Sequence, residues 1–90
     1  MKQIVFDIEA NGLNPDKVWV IVAHELDTQE TKVFSGSTLY DFNTYIQDLH
    51  GDVYELIGHN IIDYDIPVLE RILGTDFGSC NVTDTLVLSR

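Results

Sequence analysis

Apolar and polar residues alternate almost from the first position: Ile4, Phe6 and Ile8 interleave with Val5, Asp7 and Glu9. A period of two belongs to a strand, and Gln3–Ala10 is read as the first one, with Asp7 and Glu9 projecting from the same face. The pattern breaks at Asn11-Gly12-Leu13-Asn14-Pro15-Asp16, because Asn-Gly and Asn-Pro are strong turn formers. Val18 to Ala23 is a continuous apolar run of strand length, and Thr31 to Phe34 is a shorter third strand, with Asp27-Thr28-Gln29-Glu30 suited to the hairpin between them. Short connections of this kind predict an antiparallel meander.

The period then changes. Leu39, Phe42, Ile46 and Leu49 recur at helical spacing, with Ser37 or Thr38 as cap and Gly51 at the left-handed stop. Tyr54–Gly58 is a fourth strand, and a strand–helix–strand passage favours a right-handed crossover and parallel pairing with the first strand. Val68, Leu69, Ile72 and Leu73 form a second, short helix ended by Gly74. Val82–Asp84 is a fifth strand, and Thr85–Arg90 reads as the opening turns of a further helix. The order predicts a mixed α/β sheet with the first strand at its centre, in one domain over residues 1–90.

In such sheets the site lies at the carboxyl ends of the central strands. Asp7 and Glu9 stand at the end of the first strand, roughly 6 to 7 Å apart by the rise of a strand. Two carboxylates brought to about 4 Å repel by on the order of 4 kcal/mol at an effective dielectric near 20, and a divalent cation relieves that repulsion. A strand end fraying into solvent is the alternative. The segment Gly58-His59-Asn60-Ile61-Ile62-Asp63-Tyr64-Asp65 follows the neighbouring strand and brings more acids to the same pole. Asp65 precedes Ile66-Pro67 and has an ordinary alternative as the cap of the second helix. Asp63 suits solvent or a share of the capping, His59 an ordinary core or surface position, and Asp84 the cap of the last helix.

Composition narrows the setting. A hydrophobic fraction of 44% argues for a packed core, and the single cysteine, Cys80, excludes an internal disulfide and fits a reducing cytoplasm. Met1-Lys2 leads straight into a strand, so no signal peptide is expected, and no apolar run approaches the ~20 residues that span a bilayer. The formal charge of −10 opposes nucleic-acid binding, which depends on Lys and Arg at phosphates. It is reconciled with such a ligand if a metal neutralises clustered acids, or if the basic part of the surface belongs to a segment outside these residues; a soluble acidic domain is the remaining reading.

Phe6-Asp7-Ile8-Glu9-Ala10-Asn11-Gly12-Leu13 resembles the first motif of DEDD-superfamily 3′–5′ exonucleases, and His59-Asn60-Ile61-Ile62-Asp63-Tyr64-Asp65 resembles the second. Thr83-Asp84-Thr85-Leu86-Val87-Leu88-Ser89-Arg90 is similar to a segment that follows in the same domain. With the start at Met1, the likeness is to the N-terminal proofreading domain of family A DNA polymerases of short-tailed phages. The resemblance implies a ribonuclease-H-like mixed sheet of about five strands in the order 3-2-1-4-5. It implies that Asp7, Glu9 and Asp65 are catalytic and hold two Mg2+ or Mn2+ ions. Leu13 would wedge against terminal bases, and Asn60 would orient the strand or the second-motif loop. The substrate would be a single-stranded 3′ end of DNA, the partner the remainder of a polymerase chain, and the location the cytoplasm of a phage host, with no membrane involved.

One departure matters. The family needs a third motif, a Tyr or His followed by a fourth Asp, and nothing between Asp65 and Arg90 fits it. The 90 residues therefore read as the first part of a longer exonuclease domain, its C-terminal helices missing, with weak or no activity alone. Two other readings compete: another ribonuclease-H-like nuclease, and a degenerate acidic module of the same fold that binds a protein partner.

Overall fold

The computed structural model describes residues 2–12, 15–50, 54–78 and 80–88. Three strands, β1 (Lys2–Ala10), β2 (Val18–Glu25) and β3 (Glu30–Ser35), form the expected meander, with Phe6 opposite Ala23 and Ile21 opposite Phe34. Helix α1 (Asp41–Asp48) then crosses to β4 (Tyr54–Gly58), which runs parallel to β1 with Ile4 beside Leu56. A π-helical turn (Ile61–Asp65) runs into α2 (Ile66–Ile72); β5 (Asn81–Asp84) lies parallel to β4, and a short α3 (Thr85–Leu88) follows. The sheet order is β3-β2-β1-β4-β5, so β1 is central.

Alternation on β1 decides where the layers go. Ile4, Phe6 and Ile8 are buried and pack with Ile21, Ala23, Phe34 and Leu56 against Phe42 and Ile46 of α1 and Val68 and Leu69 of α2. Phe42 anchors this layer, edge-on to Phe34 at 5.5 Å between ring centroids and stacked on Phe6 at 6.4 Å. Each such side chain contributes about 1.5–3 kcal/mol by leaving water. Both helices therefore cover one face of β1, and Val5, Asp7 and Glu9 look away from them. That second face is open, with Val5 38% and Val33 58% exposed.

Two local readings need correction. Neither Ser37 nor Thr38 caps α1: Gly36–Thr38 is a 3-10 turn of its own, and α1 starts after Tyr40. The Thr38 hydroxyl is already committed, donating to the Ser35 carbonyl at 2.9 Å and accepting the Ser35 N–H at 3.0 Å. Gly51, the expected stop of α1, lies outside the described residues. In the next connection Gly74 does close the chain after α2, in a left-handed conformation with φ of 70°. Among the described residues no helix is long and apolar enough to cross a membrane.

Candidate functional site

The open face of β1 carries Asp7 and Glu9 side by side in the strand's alternation, both exposed. Their cross-strand partners on β2 are Val22 and Val20, so the neighbouring strand supplies no cation to either. On the other flank β4 pairs with β1 only as far as Val5 opposite Ile57. Beyond that point the edge of β1 is free to meet the segment that follows β4.

Gly58 allows the chain to turn there. A Cβ at this position would stand 2.8 Å from the Phe6 carbonyl oxygen and would strike the Ile61 side chain. Next, Asn60 takes a left-handed conformation, φ 60° and ψ 29°, which asparagine tolerates better than most residues. The turn is then pinned by Asp84, the last residue of β5 and 5% exposed. One Asp84 carboxylate oxygen accepts the N–H groups of Asn60 at 2.8 Å and Leu86 at 2.9 Å, and the other accepts the Ile62 N–H at 3.0 Å. Asp84 does cap the last helix, as its position suggests, but it also fastens the turn that leads to Asp65. The sequence carries no signal for this second role, because it depends on β5 lying beside β4.

Asp65 closes the π-helical turn, a wide turn of a kind frequent at functional sites. It is 3% exposed and makes no capping hydrogen bond to α2, which excludes its ordinary role as N-cap. Its Oδ2 is buried and, among the described residues, has no hydrogen-bond partner. Burial, and after it the charge of Asp7, pushes the Asp65 carboxyl up to about 7; the backbone N–H groups of Ile8 and of Asp65 itself act in the opposite direction, and Asp84 adds a smaller upward push. The contrast with Glu25 is instructive. That carboxylate is also buried, yet Lys2 lies 3.3 Å from one oxygen and the Tyr45 hydroxyl donates to the other at 2.9 Å. Glu25 is satisfied by its own chain, whereas Oδ2 of Asp65 has no such partner among the described residues.

The turn after β1 is drawn to the same pole. The Tyr64 hydroxyl donates to the Gly12 carbonyl, and Arg71 donates to the Pro15 carbonyl at 2.6 Å. Of the other residues singled out in the sequence, Asp63 is exposed, and His59 is exposed with its Nδ1 3.2 Å from the Thr85 hydroxyl. Leu13 lies outside the described residues. Among the described residues no three acids, histidines or cysteines converge closely enough to grip an ion by themselves. The structure brings Asp65 into electrostatic contact with Asp7 and keeps Glu9 on the Asp7 face of the strand. A buried, orphaned carboxylate oxygen beside a second carboxylate fits a hard divalent cation that retains water and substrate oxygens as its other ligands.

No protein-family model matches the chain, and no curated protein matches it. Solved structures match it in fold. Escherichia coli exonuclease I, in complex with an oligonucleotide, superposes with a TM-score of 0.77 at 16% identity, covering 98% of this chain and 29% of that one. The zinc-bound form of the same enzyme in its complex with single-stranded DNA gives 0.76 at 16% identity, over 98% of this chain and 28% of that one. The family B DNA polymerase of the hyperthermophilic archaeon Pyrobaculum calidifontis gives 0.63 at 20% identity, over 84% of this chain and 12% of that one. The chain thus shares the ribonuclease-H-like fold of these structures, and it spans less than a third of the length of exonuclease I.

Proposed function

We propose that the chain is the N-terminal part of a DEDD-type, metal-dependent 3′–5′ exonuclease domain acting on single-stranded DNA. The observation that carries this reading is the Asp65 carboxyl, buried with an orphaned oxygen next to Asp7, at the open end of the central strand. The exonuclease and polymerase structures of the same fold support it. Its attachment to a phage DNA polymerase rests on the motif resemblance, and the coding sequence beyond the codon for Arg90 tests that point.

Asp7, Glu9 and Asp65 would hold the ions, Mg2+ or Mn2+, which when bound supply Lewis-acid catalysis of phosphodiester hydrolysis. The chain's own residues do the rest. Without a cation Asp65 holds its proton up to about pH 7, which avoids a buried charge beside the carboxylate of Asp7. Asp84 and the left-handed Asn60 hold the turn that aims Asp65 at β1. Tyr64 and Arg71 hold Gly12 and Pro15, in the segment after β1, against the same elements. Three acids leave a metal pair short of the family's fourth carboxylate, so the expected hydrolysis by these 90 residues alone is slow.

Calorimetric titration with Mn2+ tests the reading. Saturable binding that is lost in Asp7→Asn and Asp65→Asn is expected; heats indistinguishable between those variants and the wild type would refute it. The exposed apolar positions on the open face, Val5 and Val33, favour the second reading, a module that contacts another protein. That module predicts no Mn2+ binding sensitive to Asp7.

A further inference from the structure

Trp19 and Lys17 stand at the start of β2, beside the acids, and belong to none of the motifs. The pairing register breaks there: Glu9 faces Val20 and Ala10 faces Val18, which leaves Trp19 as the extra residue of a β-bulge. Bulges re-aim side chains and are common next to active sites. Val18 is buried in the core, whereas Trp19, outside the alternation, is 51% exposed. Neighbouring strands lie about 5 Å apart, so the Trp19 backbone is one strand spacing from Glu9 and Ala10.

Lys17 lies over the indole, its Nζ 4.4 Å from the ring centroid. Its backbone is fixed by Asn11, whose side-chain oxygen accepts the Lys17 N–H at 3.0 Å and whose N–H donates to the Lys17 carbonyl at 3.2 Å. The other described cations are engaged elsewhere: Lys2 with Glu25, Lys32 with Glu30, and Arg71 with the Pro15 carbonyl. An exposed indole beside a cation that no carboxylate among the described residues holds combines the two contacts that capture single strands without base preference. These are stacking on an aromatic face and charge at a phosphate. In a chain of net charge −10, a strand approaching the carboxylates needs such a cation at their edge.

We infer that Trp19 is a stacking platform for one base, and Lys17 the contact for an adjoining phosphate, of a single strand whose 3′ end reaches Asp7 and Asp65. The ligand class is unpaired nucleic acid, and the inference rests on the nuclease reading of those acids. One face of the indole is covered by Lys17, and the base takes the other.

The test uses the full chain with Mn2+ and an oligothymidylate whose 3′-terminal linkages are phosphorothioates, which slow hydrolysis. Trp19 is the only tryptophan, so indole emission reports this residue alone. Saturable quenching is expected. The variants are read by fluorescence anisotropy of the same oligothymidylate carrying a 5′ fluorophore, which does not need the indole. Trp19→Ala should weaken binding about fivefold or more, and Trp19→Phe should retain most of the affinity. Lys17→Gln should lower the slope of log affinity against log salt by about one unit. Circular dichroism checks that each variant is folded. Absent quenching, or an affinity unchanged in Trp19→Ala, overturns the platform. Mn2+ binding measured without DNA separates the two claims. If it is present and lost in Asp7→Asn while Trp19→Ala binds normally, the platform fails and the nuclease reading stands. A chain that binds Mn2+ but no oligonucleotide also overturns the platform, and one that binds neither overturns both.

Discussion

Asp65→Asn removes the one titration on which the site depends. In the folded protein the Asp65 carboxyl is pushed up to about 7 from an ordinary 3.8, first by burial and then by Asp7. The unfolded chain has the ordinary value, so between about pH 4 and pH 7 the folded state holds a proton that the unfolded state has released. The stability contributed by the neutral carboxyl is therefore full below that window and is lost as the pH rises through it, the reverse of a salt-bridged aspartate. At about 1.4 kcal/mol per pKa unit, the ionised carboxylate costs the native state on the order of 4 kcal/mol above the window. Asparagine keeps the shape and does not titrate. Urea unfolding of both proteins without divalent cations is the assay. The stability of Asp65→Asn relative to wild type should grow by at least about 1.4 kcal/mol, one pKa unit, between about pH 5 and pH 8. Parallel profiles would mean that Asp65 titrates as an ordinary surface acid. The buried carboxyl beside Asp7, and with it the reason to place a cation there, would then be gone.

Cation binding should reverse the same effect. Mn2+ at a hundredfold excess over its Kd stabilises the wild type by about 2.7 kcal/mol, and near pH 6 its binding should release the Asp65 proton, read by calorimetry in two buffers of different ionisation enthalpy. Heats that do not depend on the buffer would refute this. Asp84→Ala leaves the Asn60, Ile62 and Leu86 N–H groups without their acceptor. It should cost roughly 3 kcal/mol or more and strip hydrogen-exchange protection from Asn60 and Ile62; unchanged protection would show that the turn holds without it. Gly58→Ala forces a methyl group to 2.8 Å from the Phe6 carbonyl oxygen. A loss of about 1–3 kcal/mol is expected in urea unfolding, and a neutral substitution would contradict the close approach.

The helices and strands were legible because their signals are local. Ile4, Phe6 and Ile8 mark a buried strand face by period alone, and Phe42, Ile46 and Leu49 mark a helix stripe. Helix starts were less legible. The hydroxyl of Thr38 had two places to go, and it bonds back to Ser35 instead of capping α1. The wide turn at Ile61–Asp65 was invisible for a similar reason, since nothing in Ile-Ile-Asp-Tyr-Asp separates it from an ordinary first turn of helix.

From the sequence alone came the element order, the central first strand, and the placing of Asp7 and Glu9 on one face, since these follow from the apolar period and from the strand–helix–strand passage. Only the tertiary structure decided what Asp65 does. As an N-cap it would have turned inward to its own helix; instead its carboxyl is buried beside Asp7, with no partner for Oδ2 among the described residues. That choice is made by Asp84 and Gly58, through bonds and clearances between strands that meet only after folding. The bulge that sets Trp19 beside Glu9 is of the same kind. A residue's period reports the face it occupies, whereas its partners depend on the register between distant segments, which no local pattern encodes.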